Sequence, residues 1–136
     1  MIHEEICTYE VAKLAKEKGF NVQTFDWYDY TGNYNKGFIP HKLHECPRYK
    51  EYYAPTQGLL QRWLREEKGI VVEAIAQPTC STSKKNCYWW SIKQNSDGFC
   101  YQYEECSYLL YSDEGYFDTY ELALEDALKY ALENLV

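Results

Sequence analysis

An amphipathic helix followed at once by a β-branched strand constrains the fold of this chain more than any other feature. Residues 54–69 read A-P-T-Q-G-L-L-Q-R-W-L-R-E-E-K-G, and residues 70–76 read I-V-V-E-A-I-A. At about 100° per residue, the large apolar side chains share one helix face and the polar ones the other. The apolar face comprises Leu59, Leu60, Trp63 and Leu64, and the polar face Gln57, Gln61, Arg65 and Lys68. Such a helix must cover another apolar surface, and a strand provides one.

Helical signals also lie near both ends of the chain. Thr8 precedes the periodic run Y-E-V-A-K-L-A-K-E-K, and Gly19 follows it where a helix usually ends. The run D-T-Y-E at 118–121 is a capping-box pattern that opens a helix to the C-terminus. The apolar stripe of this last helix comprises Leu124, Ala127, Leu128, Ala131 and Leu135.

Strand signals separate the helices. Residues 20–27 read as a strand of mixed quality, and residues 28–53 as a long irregular loop with two glycines and two prolines. Residues 87–94 and 99–106 flank Asp97-Gly98, a strong hairpin signal, and the second of these strands can continue through Tyr111.

These elements give the order α-β-(long loop)-α-β-β-β-α. We therefore expect an α+β fold, in which a small antiparallel sheet of three to four strands packs against two or three helices. No repeat, low-complexity tract or linker divides the sequence, so we expect residues 1–136 to form a single domain.

The charge distribution argues against nucleic acid as a partner. The net charge is −7, and residues 70–136 carry 4 Lys/Arg against 11 Asp/Glu, whereas residues 1–69 balance at 10 each. Between Lys93 and Lys129 there are nine carboxylates and no basic residue. Such a surface repels a polyanion, so we expect no nucleic-acid partner.

The N-terminal sequence and the hydropathy indicate a cytoplasmic protein. M-I-H-E-E-I-C is acidic and does not look like a signal peptide. No stretch approaches the roughly 20 apolar residues of a membrane span, so we expect no membrane contact. The six cysteines are then expected as reduced thiols, with disulfides in an oxidising compartment as the alternative.

Catalytic and metal-binding signatures are weak throughout the sequence. His41, His44 and Cys46 lie within six residues and are competent zinc ligands, but their spacing matches no paired C-x-x-C knuckle. A cysteine nucleophile would need a histidine base, and no local signature pairs the two. We predict no catalytic residue, no metal and no cofactor. The lesser alternative is a zinc-stabilised protein or a Cys/His-dependent enzyme that uses loop 41–46.

Aromatic side chains on the strands are the best candidates for a binding surface, because the chain contains 15 tyrosines and is 18% aromatic. Alternation places large side chains on both faces of the predicted sheet, so one face exposes Trp or Tyr unless loop 28–53 covers it. The helix at 54–69 adds a polar face that either docks a partner or is simply solvated. The candidate binding residues are Trp89, Tyr101, Tyr103, Glu104 and Glu105 on the strands and Gln57, Gln61 and Arg65 on the helix.

Three blocks of the sequence carry a resemblance to a known family. They read E-V-A-K-L-A-K-E-K-G-F, Y-Y-A-P-T-Q-G-L-L-Q-R-W-L-R-E and F-D-T-Y-E-L-A-L-E-D-A-L-K-Y-A-L. In these blocks the chain resembles a family of small uncharacterised proteins of gut Bacteroides-type bacteria and their phages. The resemblance implies a phage or mobile-element origin and a cytosolic setting, and it implies no activity.

The second half of the chain also resembles the double-stranded-RNA-binding domain in its α-β-β-β-α order. P-T-Q-G-L-L-Q-R-W-L-R is similar to the first helix of that family. That family grips phosphates with a Lys-rich start of its last helix, whereas the turn reads D-T-Y-E here. Carboxylates take the place of a phosphate at that helix start, so the resemblance extends to architecture alone.

Together these patterns predict a non-enzymatic binding module of phage or mobile-element type. We expect it to engage a protein or small-molecule partner through an acidic, Tyr/Trp-rich surface. A structural homodimer joined through Tyr/Trp patches is the alternative.

Overall fold

A computed structural model of the protein confirms the predicted α+β fold. It describes residues 2–37, 51–77, 87–94, 108–111 and 117–136. These residues form three helices and two antiparallel sheets of three strands each. The chain divides into two compact units, Met1–Leu60 and Gln61–Val136. The expectation of a single domain over 1–136 stays a prediction.

Helix α1, Tyr9–Glu17, begins and ends at the predicted residues. The Thr8 hydroxyl accepts a hydrogen bond from the Val11 N–H, which caps the first turn. Gly19 follows the helix at φ +98°, a left-handed conformation that glycine adopts without steric cost. Val11, Ala12 and Ala15 form the buried face of the helix.

The first unit contains a small sheet that the sequence did not predict. Strands β1 (Trp27–Tyr28), β2 (Tyr34–Asn35) and β3 (Tyr52–Tyr53) pair antiparallel in the order β2-β1-β3. The predicted strand over 20–27 is therefore wrong except at Trp27. Strand pairing begins only there because both partner strands come from the segment 28–53, which was expected to be irregular.

Helix α2, Gln57–Lys68, begins two residues after Pro55. The Thr56 hydroxyl accepts from the Leu59 N–H at 3.1 Å, so Thr56 satisfies the first turn and Pro55 precedes the helix. On the predicted apolar face Leu60, Trp63 and Leu64 are buried and Leu59 is half-buried.

The second unit contains the predicted sheet. Strands β4 (Ile70–Gln77), β5 (Cys87–Gln94) and β6 (Tyr108–Tyr111) are antiparallel in the order β4-β5-β6, and Ile70 pairs with Gln94. The strands predicted at 70–76 and 87–94 are confirmed. The predicted strand at 99–106 and the Asp97-Gly98 turn lie outside the described residues.

Helix α3, Tyr120–Asn134, packs against β4 and β5. Its cap is Thr119, whose hydroxyl accepts from the Leu122 N–H at 3.1 Å, so the capping box expected from Asp118 is wrong by one residue. The Trp90 indole N–H donates to Asp126 at 2.8 Å, which fixes the helix on β5. The predicted stripe is buried at Leu124, Ala127, Leu128 and Ala131, and half-buried at Leu135. None of the helices in the described ranges is long and apolar enough to cross a membrane.

Candidate functional site

The N-terminal segment forms one wall of a cleft in the first unit. Ile6 makes an antiparallel bridge with Thr56. The Gln57 N–H donates to the Glu5 carbonyl at 2.8 Å, and the Cys7 N–H donates to the Pro55 carbonyl at 2.9 Å. These backbone bonds hold the segment against the start of α2, and they place the exposed side chains of Glu4 and Glu5 at the cleft.

The hairpin of β1 and β2 forms the opposite wall. Tyr34 lies opposite Tyr28 in the strand register, and the two rings make an edge-to-face contact at 5.7 Å. The Tyr34 hydroxyl donates to the Asp26 carboxylate. Burial and then this carboxylate raise the pKa of Tyr34 to about 12. Tyr34 therefore keeps its proton at neutral pH and acts as a hydrogen-bond donor.

The cleft between these walls has a volume of about 570 Å³. Its lining combines charged and aromatic side chains: His3, Glu4, Glu5, Ile6, Asp26, Tyr28, Tyr34 and Lys36. The lining includes three carboxylates and one lysine ammonium, so the cleft is net negative although residues 1–69 carry balanced charge overall. Carboxylates and the faces of tyrosine rings both attract cations, so the cleft has the chemistry of a cation-binding site.

Four tyrosines, two of which line the cleft, form a continuous row of ring contacts. Tyr9 contacts Tyr52 at 5.6 Å and Tyr28 at 5.7 Å, both edge to face, and Tyr28 contacts Tyr34. The Tyr28 hydroxyl donates to the Cys7 carbonyl at 2.6 Å, which ties the row to the N-terminal segment. Each such ring pair contributes roughly 0.5–1.5 kcal/mol beyond area burial, so the row stiffens the wall that Tyr28 and Tyr34 form.

The turn that joins β1 and β2 is organised by Asp29. One carboxylate oxygen accepts hydrogen bonds from the Thr31 hydroxyl at 2.5 Å, the Thr31 N–H at 2.9 Å and the Asn33 N–H at 3.0 Å. These bonds, led by the Thr31 hydroxyl, lower the pKa of Asp29. At Gly32, φ is +88° and a Cβ atom would stand 3.2 Å from the Tyr9 ring, so both the backbone and the space favour glycine.

None of the residues predicted to bind a partner lines this cleft. On α2, Gln57 is 4% exposed, because residues 5–7 pair with the chain just before the helix; the expectation that it lies on a solvated face is wrong. Gln61 donates from its side-chain amide to the Val72 carbonyl at 2.8 Å, and Arg65 is half-buried. Trp89 is half-buried on β5. The other candidates, Tyr101, Tyr103, Glu104 and Glu105, lie outside the described residues, and the binding roles of all eight stay predictions.

Sequence reasoning missed the cleft because its residues come from three separate segments. A turn signal was present in T-G-N at 31–33, between two tyrosines, and it could have predicted the β1–β2 hairpin. Nothing local connects that hairpin to Glu4 and Glu5. In the described ranges no three His, Cys, Asp or Glu side chains group as metal ligands, and the loop 41–46 falls outside those ranges.

Comparison with known proteins adds no relative: no family model, curated protein or solved structure matches this chain.

Proposed function

We propose that the protein is a non-enzymatic binding module of phage or mobile-element type, which engages a protein or small ligand through the acidic, tyrosine-lined cleft of its first unit. The observation that carries this proposal is that three carboxylates, Tyr28 and Tyr34 line one cleft. The resemblance of three sequence blocks to small proteins of gut bacteria and their phages supports the origin.

A cationic group is the ligand chemistry that the cleft favours. Glu4, Glu5 and Asp26 offer acceptors for charge-assisted hydrogen bonds, which are about twice as strong as neutral ones. Tyr34 is 40% exposed, so part of its ring is available to a cation, a contact worth about 0.5–2 kcal/mol. A lysine or arginine side chain of a partner protein satisfies both requirements.

The direct test is a titration of the full chain with a short lysine-rich peptide, followed by NMR at low salt. We expect shifts at Tyr28 and Tyr34, and none with the matched peptide that carries glutamate in place of lysine. Binding should weaken as salt rises, because the Debye length falls from about 30 Å at 0.01 M to about 10 Å at 0.1 M.

Charge-neutralising variants localise the binding. Asp26→Asn and Glu5→Gln should each weaken affinity about two- to fivefold, which is the effect expected for one partly solvated charge. Glu67→Gln is the matched control, because it removes the same charge from an exposed position on α2 that does not line the cleft. Equal weakening by all three variants would point to non-specific attraction, and absence of binding to the lysine-rich peptide would refute the proposal.

A further inference from the structure

The outer edge of β4 carries backbone groups with which no other described strand pairs. β4 lies at the edge of its sheet, next to β5. Tyr88 on β5 exchanges both backbone hydrogen bonds with Phe117, at 3.0 and 2.7 Å, so its N–H and C=O face away from β4. Tyr88 lies opposite Ala76 in the register, so the two form a non-hydrogen-bonded pair. In such a pair, the backbone N–H and C=O groups of both residues point away from the neighbouring strand. The N–H and C=O of Ala76 therefore project from the side of β4 that faces away from β5.

A second contact confirms which residues of β4 face outward. Alternate residues of a strand direct their backbone groups to the same side, so Val72 and Ala74 also face away from β5. The Val72 carbonyl accordingly accepts a hydrogen bond from the side chain of Gln61 rather than from β5. Gln61 thus covers the edge at Val72. Beyond it, no group in the described part of the chain bonds to the backbone of Ala74 or Ala76, and Ala76 is exposed.

Within β4 itself, two of the features by which natural edge strands resist pairing are missing. Its sequence, I-V-V-E-A-I-A-Q, contains no lysine and no proline, and it is rich in β-branched residues. Its one charged residue, Glu73, forms an ion pair with Lys93 on the neighbouring strand at 3.2 Å. An edge of this kind, which the described residues leave uncovered beyond Val72, favours the addition of another strand.

We propose that a second copy of the chain pairs with this edge, β4 against β4, antiparallel about a two-fold axis at Ile75. In that register Ala74 lies opposite the partner's Ala76, and the two such pairs supply four backbone hydrogen bonds. Ile75 faces the partner's Ile75 across the axis, with Cα atoms about 4.5 Å apart. Glu73 faces the partner's Gln77, so no like charges meet.

Both ends of this pairing have a natural limit. The Val72 carbonyl is already bonded to Gln61, and the sequence has a proline at position 78, which has no N–H to donate. If the register shifted by two residues, one of these alanines would lie opposite either Val72 or the proline at position 78, and backbone hydrogen bonds would be lost. The contact is isologous, since each copy contributes the same five residues, 73–77, and its small size predicts a weak, concentration-dependent dimer.

Sedimentation of the full chain over a wide concentration range tests the proposal. We expect the mass to rise from 16.2 kDa towards twice that value. Ala76→Pro removes the outward N–H without removing a bond to β5, and it should remain monomeric at every concentration. Ala76→Thr, which keeps the N–H and suits a strand, should dimerise like the native chain.

Cysteine cross-linking tests the register independently of the proline variant. Ile75→Cys should form an interchain disulfide under mild oxidation, because its Cα separation suits that bond, and peptide mass mapping identifies the linkage. Glu73→Cys should not link to itself, because its partner in this register is Gln77. A monomer at all concentrations refutes the proposal, as does a dimer that Ala76→Pro leaves intact or that cross-links equally from both positions. A monomer that binds an unrelated extended peptide at β4 would identify a different occupant.

Discussion

Replacing Gly32 by alanine should destabilise the protein more than the same change at Gly19. Both glycines have positive φ, +88° and +98°, so alanine pays a similar backbone penalty of about 1–2 kcal/mol at either position. Alanine also reduces the conformational entropy of the unfolded chain relative to glycine, which offsets about 0.4–1 kcal/mol of this backbone penalty. We therefore expect Gly19→Ala to lower the free energy of unfolding by about 0–1.5 kcal/mol.

Gly32→Ala has a further cost that Gly19→Ala lacks. A Cβ atom at position 32 would lie 3.2 Å from the Tyr9 ring, whereas nothing lies within 4 Å at position 19. Tyr9 cannot move freely, because Tyr28 and Tyr52 both contact its ring. Loss of one of these ring pairs costs about 0.5–1.5 kcal/mol. The expected destabilisation by Gly32→Ala is thus about 0.5–3 kcal/mol.

Urea unfolding followed by circular dichroism measures both variants, with a shift in midpoint at unchanged slope as the signature of stability. A Tyr9→Ala background supplies the control, because it removes the Cγ, Cδ1 and Cε1 atoms that a Cβ at position 32 would meet and should make the two alanine variants equal in cost. Equal costs in the native background, or a difference that survives Tyr9→Ala, would refute the reasoning about the ring contact.

Three further outcomes follow from single residues. Gly58→Ala should raise the free energy of unfolding by about 0.5–1 kcal/mol, because Gly58 lies within α2 and a Cβ atom would meet only the Glu4 carboxylate at 3.8 Å. Urea unfolding measures this change, and a lower free energy of unfolding would contradict the prediction. Ser91→Ala should be neutral or stabilising by about 1 kcal/mol, because the Ser91 hydroxyl is buried and has no hydrogen-bond partner among the described residues. A clear loss of thermal stability in this variant would contradict the prediction and show that the hydroxyl has a hydrogen-bond partner. The raised pKa of Tyr34, about 12, means that folding favours its protonated form, so the stability it contributes is complete below pH 10 and is lost as the pH rises through 12. A difference ultraviolet titration against Tyr34→Phe checks this, and ionisation of Tyr34 near pH 10 would contradict it.

Local signals predicted the helices and the longest strands well. Thr8 and Gly19 delimit α1 because a cap and a terminal glycine act within a single turn. The alternation in C-Y-W-W-S-I-K-Q placed Trp90 and Ile92 on one face, and both are buried. The expected strand at 20–27 failed because a strand needs partners, and partners at Tyr34 and Tyr53 cannot be read from the strand's own sequence.

The candidate site was less predictable than the fold. The polar face of α2 looked uniform in sequence, yet Gln57 is buried and Gln61 bonds to Val72, because neighbouring segments pack there. The cleft carries net negative charge although its half of the chain is balanced, because the fold gathers carboxylates from distant segments.

The sequence by itself determined the three helices and the long strands β4 and β5, since caps, periodicity and alternation are local properties of the chain. It also determined the α+β class, because amphipathic helices and β-branched strands must cover one another. Only the tertiary structure decided which carboxylates lie together in the cleft and which backbone groups of β4 face away from β5. The bridge between Ile6 and Thr56 joins residues 50 positions apart and brings Glu5 to Asp26, and the β4–β5 register turns Ala76 outward. Contacts of this range depend on how the elements pack, which no local pattern records.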